Sequence, residues 1–209
     1  MASALLLPPY VRGLWEGFAV KKRCRTGGSG FTLIEILMVI VLIGLVASFA
    51  VPKLNFSGYR INGAVRGVTA LIARAQRLAV TDQYNVNVLF DVANNAIKIH
   101  EDANNNNAID AGERVRTYPL GEGVVYGRNN APVRLYSTAT VSFTRQQNGL
   151  PEIIFRRDGS ASENGGFYIT TTTALKSNRP QDARSIEVIR ATGRGEWYQY
   201  NGSSWIKKF

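Results

Sequence analysis

Cysteine and histidine each occur once in 209 residues, as Cys24 and His100. One thiol cannot close an intrachain disulfide, and Cys24 lies in an N-terminal segment whose removal would leave His100 without a thiol partner. The phosphate-binding pattern GxxxxGK[ST] is absent, and Ser160 and Ser162 have no base partner that sequence can show. Enzymatic function is therefore not expected. Acidic residues are also scarce, 15 against 25 lysines and arginines, for a net charge of +10. Residues 1–30 hold five basic residues (Arg12, Lys21, Lys22, Arg23, Arg25) against Glu16, which leaves a surplus of six beyond Gly30. That is weak for a dedicated nucleic-acid binder.

Against these shortages stands one long apolar run. From Phe31 to Val51 the only ionisable side chain is Glu35. As a helix this segment would span about 30 Å, so the sequence predicts a transmembrane helix over 31–51. The basic cluster at 21–25 predicts a cytoplasmic N-terminus and an extracytoplasmic remainder. Gly27, Gly28, Ser29 and Gly30 precede the run, whereas the small residues of an ordinary signal peptide follow it. A cut on that side removes the charges and Cys24 and keeps the helix. A new amine at Phe31 would then lie one helical turn before Glu35, on the same face, or meet the Glu35 of a neighbouring subunit. The plainer reading of Glu35 is a carboxylate favoured at a helix start.

Gly30-Phe31-Thr32-Leu33-Ile34-Glu35 resembles the cleavage and methylation motif of type IV prepilins and type II secretion pseudopilins. The resemblance implies a peptidase/N-methyltransferase that cuts between Gly30 and Phe31 and methylates Phe31. It further implies assembly roles for Glu35 and for Pro52, at which the helix bends or loosens, and partnership with the inner membrane and with other pilins or pseudopilins.

Beyond Pro52, apolar residues at Ile61, Val65, Val68, Ile72, Ala75 and Ala79 recur with helical period, and Leu71 and Leu78 widen the stripe. This predicts an amphipathic helix ending near Thr81, continuous with the first or softened near Gly58, Gly63 and Gly67. From Tyr84 the period becomes two: Val86, Val88 and Phe90, a turn at Asn94-Asn95, then Ile97 and Ile99. Further strands are expected at 114–118, 123–127, 133–136, 140–144, 151–156, 167–172, 186–191 and 195–199. Four segments follow: a leader 1–30, a transmembrane helix 31–51, an amphipathic helix 52–82 and a periplasmic β-rich head 83–209. The expected fold is α+β and pilin-like, a long N-terminal helix packed on a mostly antiparallel sheet.

Ile154-Phe155, Asp158-Gly159-Ser160-Ala161, Gly166-Phe167-Tyr168-Ile169 and the run from Arg184 to Arg194 resemble the GspH/FimT family of minor pseudopilins and minor pilins. Asp158-Gly159 and Thr192-Gly193 are, by residue type, turn formers. The resemblance implies a minor subunit of a type II secretion pseudopilus or type IV pilus, held in the inner membrane before assembly. Its competing implication is a DNA-binding minor pilin for DNA uptake.

Two head segments are candidate sites. Counting from Asp102, oxygen donors fall at calcium-loop positions one, three, five, nine and twelve as Asp102, Asn104, Asn106, Asp110 and Glu113, with the Ala108 carbonyl at seven. Position six is Asn107 in place of the usual glycine; the plainer reading is a solvated hairpin excursion. Arg179, Arg184, Arg190, Arg194, Lys207 and Lys208, interleaved with Trp197, Tyr198, Tyr200 and Trp205, form the second. Of these, Arg190, Arg194, Lys207 and Lys208 are the candidate DNA-phosphate contacts, and Arg156-Arg157 could join them. The plainer reading packs the aromatics internally and leaves the charges in solvent. His100, beside Glu101 at a strand end, is expected on the surface.

Overall fold

The structure, a computed structural model, describes residues 30–50, 57–134 and 137–209, without the side chains of 49 and 50. The leader apart from Gly30, with Cys24 and its basic cluster, and Pro52 lie outside the described residues. The chain divides into two compact units, Met1–Lys53 and Leu54–Phe209.

In the first unit, helix α1 (Leu33–Ala50) carries Glu35 in its first turn. The side chain of Thr32 accepts the Glu35 N–H at 3.3 Å, which starts the helix after Phe31. This corrects the expected membrane span. Among the described residues no helix is long and apolar enough to cross a membrane. Eighteen helical residues rise about 27 Å against about 30 Å of hydrocarbon, and Glu35 confines the uncharged stretch to the part that follows it. The transmembrane half of the expected fold, and with it the single-pass inner-membrane placement of a periplasmic head, is overturned by the same finding.

In the second unit, helix α2 (Ser57–Asp82) buries Ile61, Val65, Val68, Ile72, Ala75 and Ala79, the stripe that the periodicity marks. Each aliphatic side chain withdrawn from water contributes about 1.5–3 kcal/mol. Two antiparallel five-stranded sheets pack on this helix. The first holds β1 (Asn85–Asp91), β2 (Ala96–Asp102), β3 (Arg114–Pro119), β5 (Gln146–Gln147) and β6 (Leu150–Phe155), in the order β3-β2-β1-β6-β5. The second holds β4 (Val124–Tyr126), β7 (Gly165–Thr171), β8 (Arg184–Val188), β9 (Gly195–Tyr200) and β10 (Trp205–Lys208), in the order β10-β9-β8-β7-β4. A short helix α3 (Thr172–Lys176), capped by the Thr171 hydroxyl, follows β7. Phe90 of β1 joins the two sheets, its ring 4.7 Å from Phe167 of β7 and stacked at 5.0 Å on Phe143. An α+β fold with a β head is thus present.

Candidate functional site

The turn pairing β1 with β2 sets Asn87 opposite His100. Both point away from α2, on a face that simple alternation would leave to water, yet both are fully buried. The cover is the loop 103–113. Its Asn107 inserts over the sheet: Asn107 Oδ1 accepts from Asn87 at 2.9 Å, Asn107 Nδ2 donates to Glu152 at 3.1 Å, and its carbonyl accepts from Gln147 at 2.9 Å. His100 is therefore interior, and the surface position expected from sequence is corrected. Asn87 Nδ2 faces His100 Nδ1 at 3.5 Å, and His100 Nε2 lies 2.7 Å from Glu113 Oε2. His100 thus joins the Asn87 amide to the Glu113 carboxylate through its two ring nitrogens.

Within the loop, the Asp102 carboxylate accepts the main-chain N–H groups of Asn106 at 3.1 Å and Asn107 at 2.9 Å. Asn104 and Asn106 accept from the N–H groups of Asn106 and Ala108 while donating to Asp110 Oδ2 at 2.8 and 2.6 Å. Those two amides hold the Asp110 carboxyl below its ordinary range. The N–H of Asp110, then His100, does the same for Glu113. Asn107 takes φ +61°, the left-handed backbone that the sixth position of a calcium loop requires. All six sequence-predicted donors thus belong to one loop folded on itself. Among the described residues, however, no group of three or more His, Cys, Asp and Glu side chains is gathered to hold a metal ion. Four of the buried side-chain atoms without a hydrogen-bond partner belong to this loop and the sheet face beneath it: Asn87 Oδ1, Glu113 Oε1, Gln147 Oε1 and Glu152 Oε2.

The basic C-terminal residues separate. Arg184 is buried, with its guanidinium on Asn62 Oδ1 at 3.1 Å and on the carbonyls of Gln181 and Ala183; burial lowers its pKa to about 10. Arg179 is bonded to Asp182 and Ser57. Arg190, Arg194, Lys207 and Lys208 are exposed. Arg194, Lys207 and Lys208 line one shallow groove of about 230 Å³ with Glu196 and Phe209, which Arg190 does not line. Lys207 is paired with Glu196 at 2.7 Å. The aromatics are mostly spent internally. Tyr198 lies under the Arg134 guanidinium, 3.3 Å from its ring centroid, and Trp205 packs on Tyr168 and Tyr200.

Sequence reasoning missed the Arg134–Glu187 pair at 2.6 Å and the polar layer under the loop. The only signal for the latter was a row of polar residues interrupting otherwise apolar strands. The chain's single histidine is a buried structural group.

No protein-family model and no curated protein matches the chain. Among solved structures it is similar to the minor pseudopilin EpsH from the Type 2 Secretion System of Vibrio cholerae. The identity is 11% and the TM-score 0.42, over 71% of this chain and 96% of that chain. The likeness is distant and partial.

Proposed function

We propose that the chain is a minor pilin-like subunit of a type II secretion pseudopilus or a type IV pilus, with a structural and recognition role. The observation that carries this reading is α1. Every described side chain from Phe31 to Ser48 is exposed within its unit, Phe31 at 78% and Leu33 at 83%, and all but a few are apolar around the full circumference. A helix apolar on all sides is buried on all sides when it functions, and like helices of neighbouring subunits supply that cover. Glu35, the one charge on this surface, then needs a cationic partner, which an amine at Phe31 provides. Processing between Gly30 and Phe31 by a prepilin peptidase/N-methyltransferase is part of the proposal.

Assembly tests it. Glu35→Ala is expected to remove the chain from filaments sheared from cells while its cellular amount holds. Unchanged filament content contradicts the reading.

The alternative, contact with DNA, is favoured by one observation: Arg194, Lys207 and Lys208 share an exposed groove beside the exposed Phe209 ring. The Lys207–Glu196 pair reduces the positive charge available there.

A further inference from the structure

We infer that the free edge of β3 is a docking strand for another polypeptide, which adds to the first sheet as an extended segment with carboxylates at alternate positions. The inference concerns the head alone and does not depend on how α1 is covered.

Hydrogen-bond alternation fixes which groups the edge offers. β3 pairs antiparallel with β2, Arg116 opposite Ile99 and Tyr118 opposite Ile97, and just past its end the Leu120 N–H donates to the Asn95 carbonyl at 3.0 Å. In an antiparallel ladder every second residue turns its N–H and C=O to the partner strand. Arg114, Arg116 and Tyr118 therefore bond to β2. Val115 and Thr117 are exposed and turn theirs outward, where no hydrogen bond meets them among the described residues. Pro119 ends the row with a carbonyl and no N–H. The other sheet edges are shorter or covered: β5 has two residues, β10 four, and β4 gives its Tyr126 N–H to Asn95 Oδ1 at 3.1 Å.

Side chains decide what the edge accepts. By the same alternation Arg114, Arg116 and Tyr118 stand on the face toward α2, where Tyr118 packs against the core and the Arg74 guanidinium lies 6.0 Å from its ring centroid. Of the nearby acids, Glu101 takes the Tyr84 hydroxyl at 2.9 Å and lies 3.8 Å from Arg114, and Glu122 stands in the turn after β3. Arg116 has no carboxylate partner among the described residues. A second copy pairing antiparallel through Val115 and Thr117 would set Arg116 opposite Arg116, and like charges directly opposite are destabilising. An acidic strand in the same register answers those arginines. Past Tyr118 the edge meets a groove of about 580 Å³ lined by Tyr59, Ala64, Val68, Leu71, Tyr118 and Leu120, a seat for an apolar side chain of the added strand. In strand addition the main-chain bonds supply affinity, and alternate side chains supply specificity.

The test is fluorescence anisotropy of a labelled peptide of alternating glutamate and valine, titrated with the full chain in neutral detergent. Expected is saturable binding, with none for the same peptide carrying lysine in place of glutamate. Thr117→Pro removes an outward N–H that the sheet does not use, so thermal melts should show a folded head while binding weakens about tenfold or more. Arg116→Glu, which leaves the backbone intact, should weaken it at least as much. Absence of binding to the folded wild-type chain overturns the inference, as does equal binding of the lysine peptide or binding that survives both substitutions. Self-association of the chain that Thr117→Pro abolishes would also overturn it, by giving the edge to a second copy.

Discussion

The Gln76 side chain of α2 donates to the Gly159 carbonyl at 2.7 Å, and its same nitrogen reaches the Thr192 carbonyl at 2.6 Å. One amide thus clips two turns, one after β6 and one between β8 and β9, onto the helix. Gly193 sits at φ +61°, and a Cβ there would lie 2.2 Å from the Gly159 oxygen. The pair of turns that the family resemblance rests on is therefore a packing contact, with Gly193 required twice over, by backbone conformation and by space. Gln76→Ala is expected to lower unfolding free energy by about 2 kcal/mol, since it leaves two carbonyls without their donor. Gly193→Ala should cost at least as much. Urea denaturation of both variants checks this; an unchanged midpoint for either refutes the clip.

Asp91 at the end of β1 meets Lys98 at 2.8 Å across the first hairpin. Lys98, then the Asn94 amide, lowers its pKa from 3.8 to about 2. A carboxyl held low in the folded chain stabilises it above the unfolded value and loses that contribution as pH falls from about 4 toward about 2. Asp91→Asn should therefore destabilise the head at pH 7 and flatten the acid limb of its stability curve. Urea midpoints measured from pH 2.5 to 7 read this directly, and an acid limb unaltered in the variant would rule the pair out as its source.

For the exposed groove of β9 and β10, DNA contact predicts binding that weakens steeply with salt. It should be lost when Arg194, Lys207 and Lys208 are changed together to Ala. Arg190→Ala alone should matter less, because Arg190 does not line the groove. Fluorescence anisotropy with labelled duplex from 20 to 200 mM salt provides the measurement (salt range on the order used to resolve counterion release). No binding at the low-salt end eliminates the DNA reading.

What was legible in the sequence follows from periodicity. The α2 stripe from Ile61 to Ala79 and the β1–β2 hairpin with its Asn94-Asn95 turn stand where the patterns place them, since a one-sided apolar face fixes both element and orientation. Alternation says which face a residue occupies, however, and not what covers that face, so His100 was read as exposed although loop 103–113 lies over it. Val133 and Arg134 form no strand, and Val141 makes one isolated bridge to Phe167; burial of Val141 and Phe143 needs side-chain contact with the core, not a ladder. Trp205–Lys208 was missed because four residues after a Gly-Ser turn carry too short an alternation. At the basic C-terminus, Arg184 is satisfied by Asn62 from α2, and Arg179 by Ser57. No local pattern reveals partners so far away in the chain.

The filament reading depends most directly on the bond between Gly30 and Phe31. Intact-mass and N-terminal analysis of the chain recovered from cells that make its partner pilins should find N-methylated Phe31 as the first residue. A chain that keeps residues 1–30 in its assembled form would contradict the account, because Glu35 would then have no amine within its first turn to answer its charge.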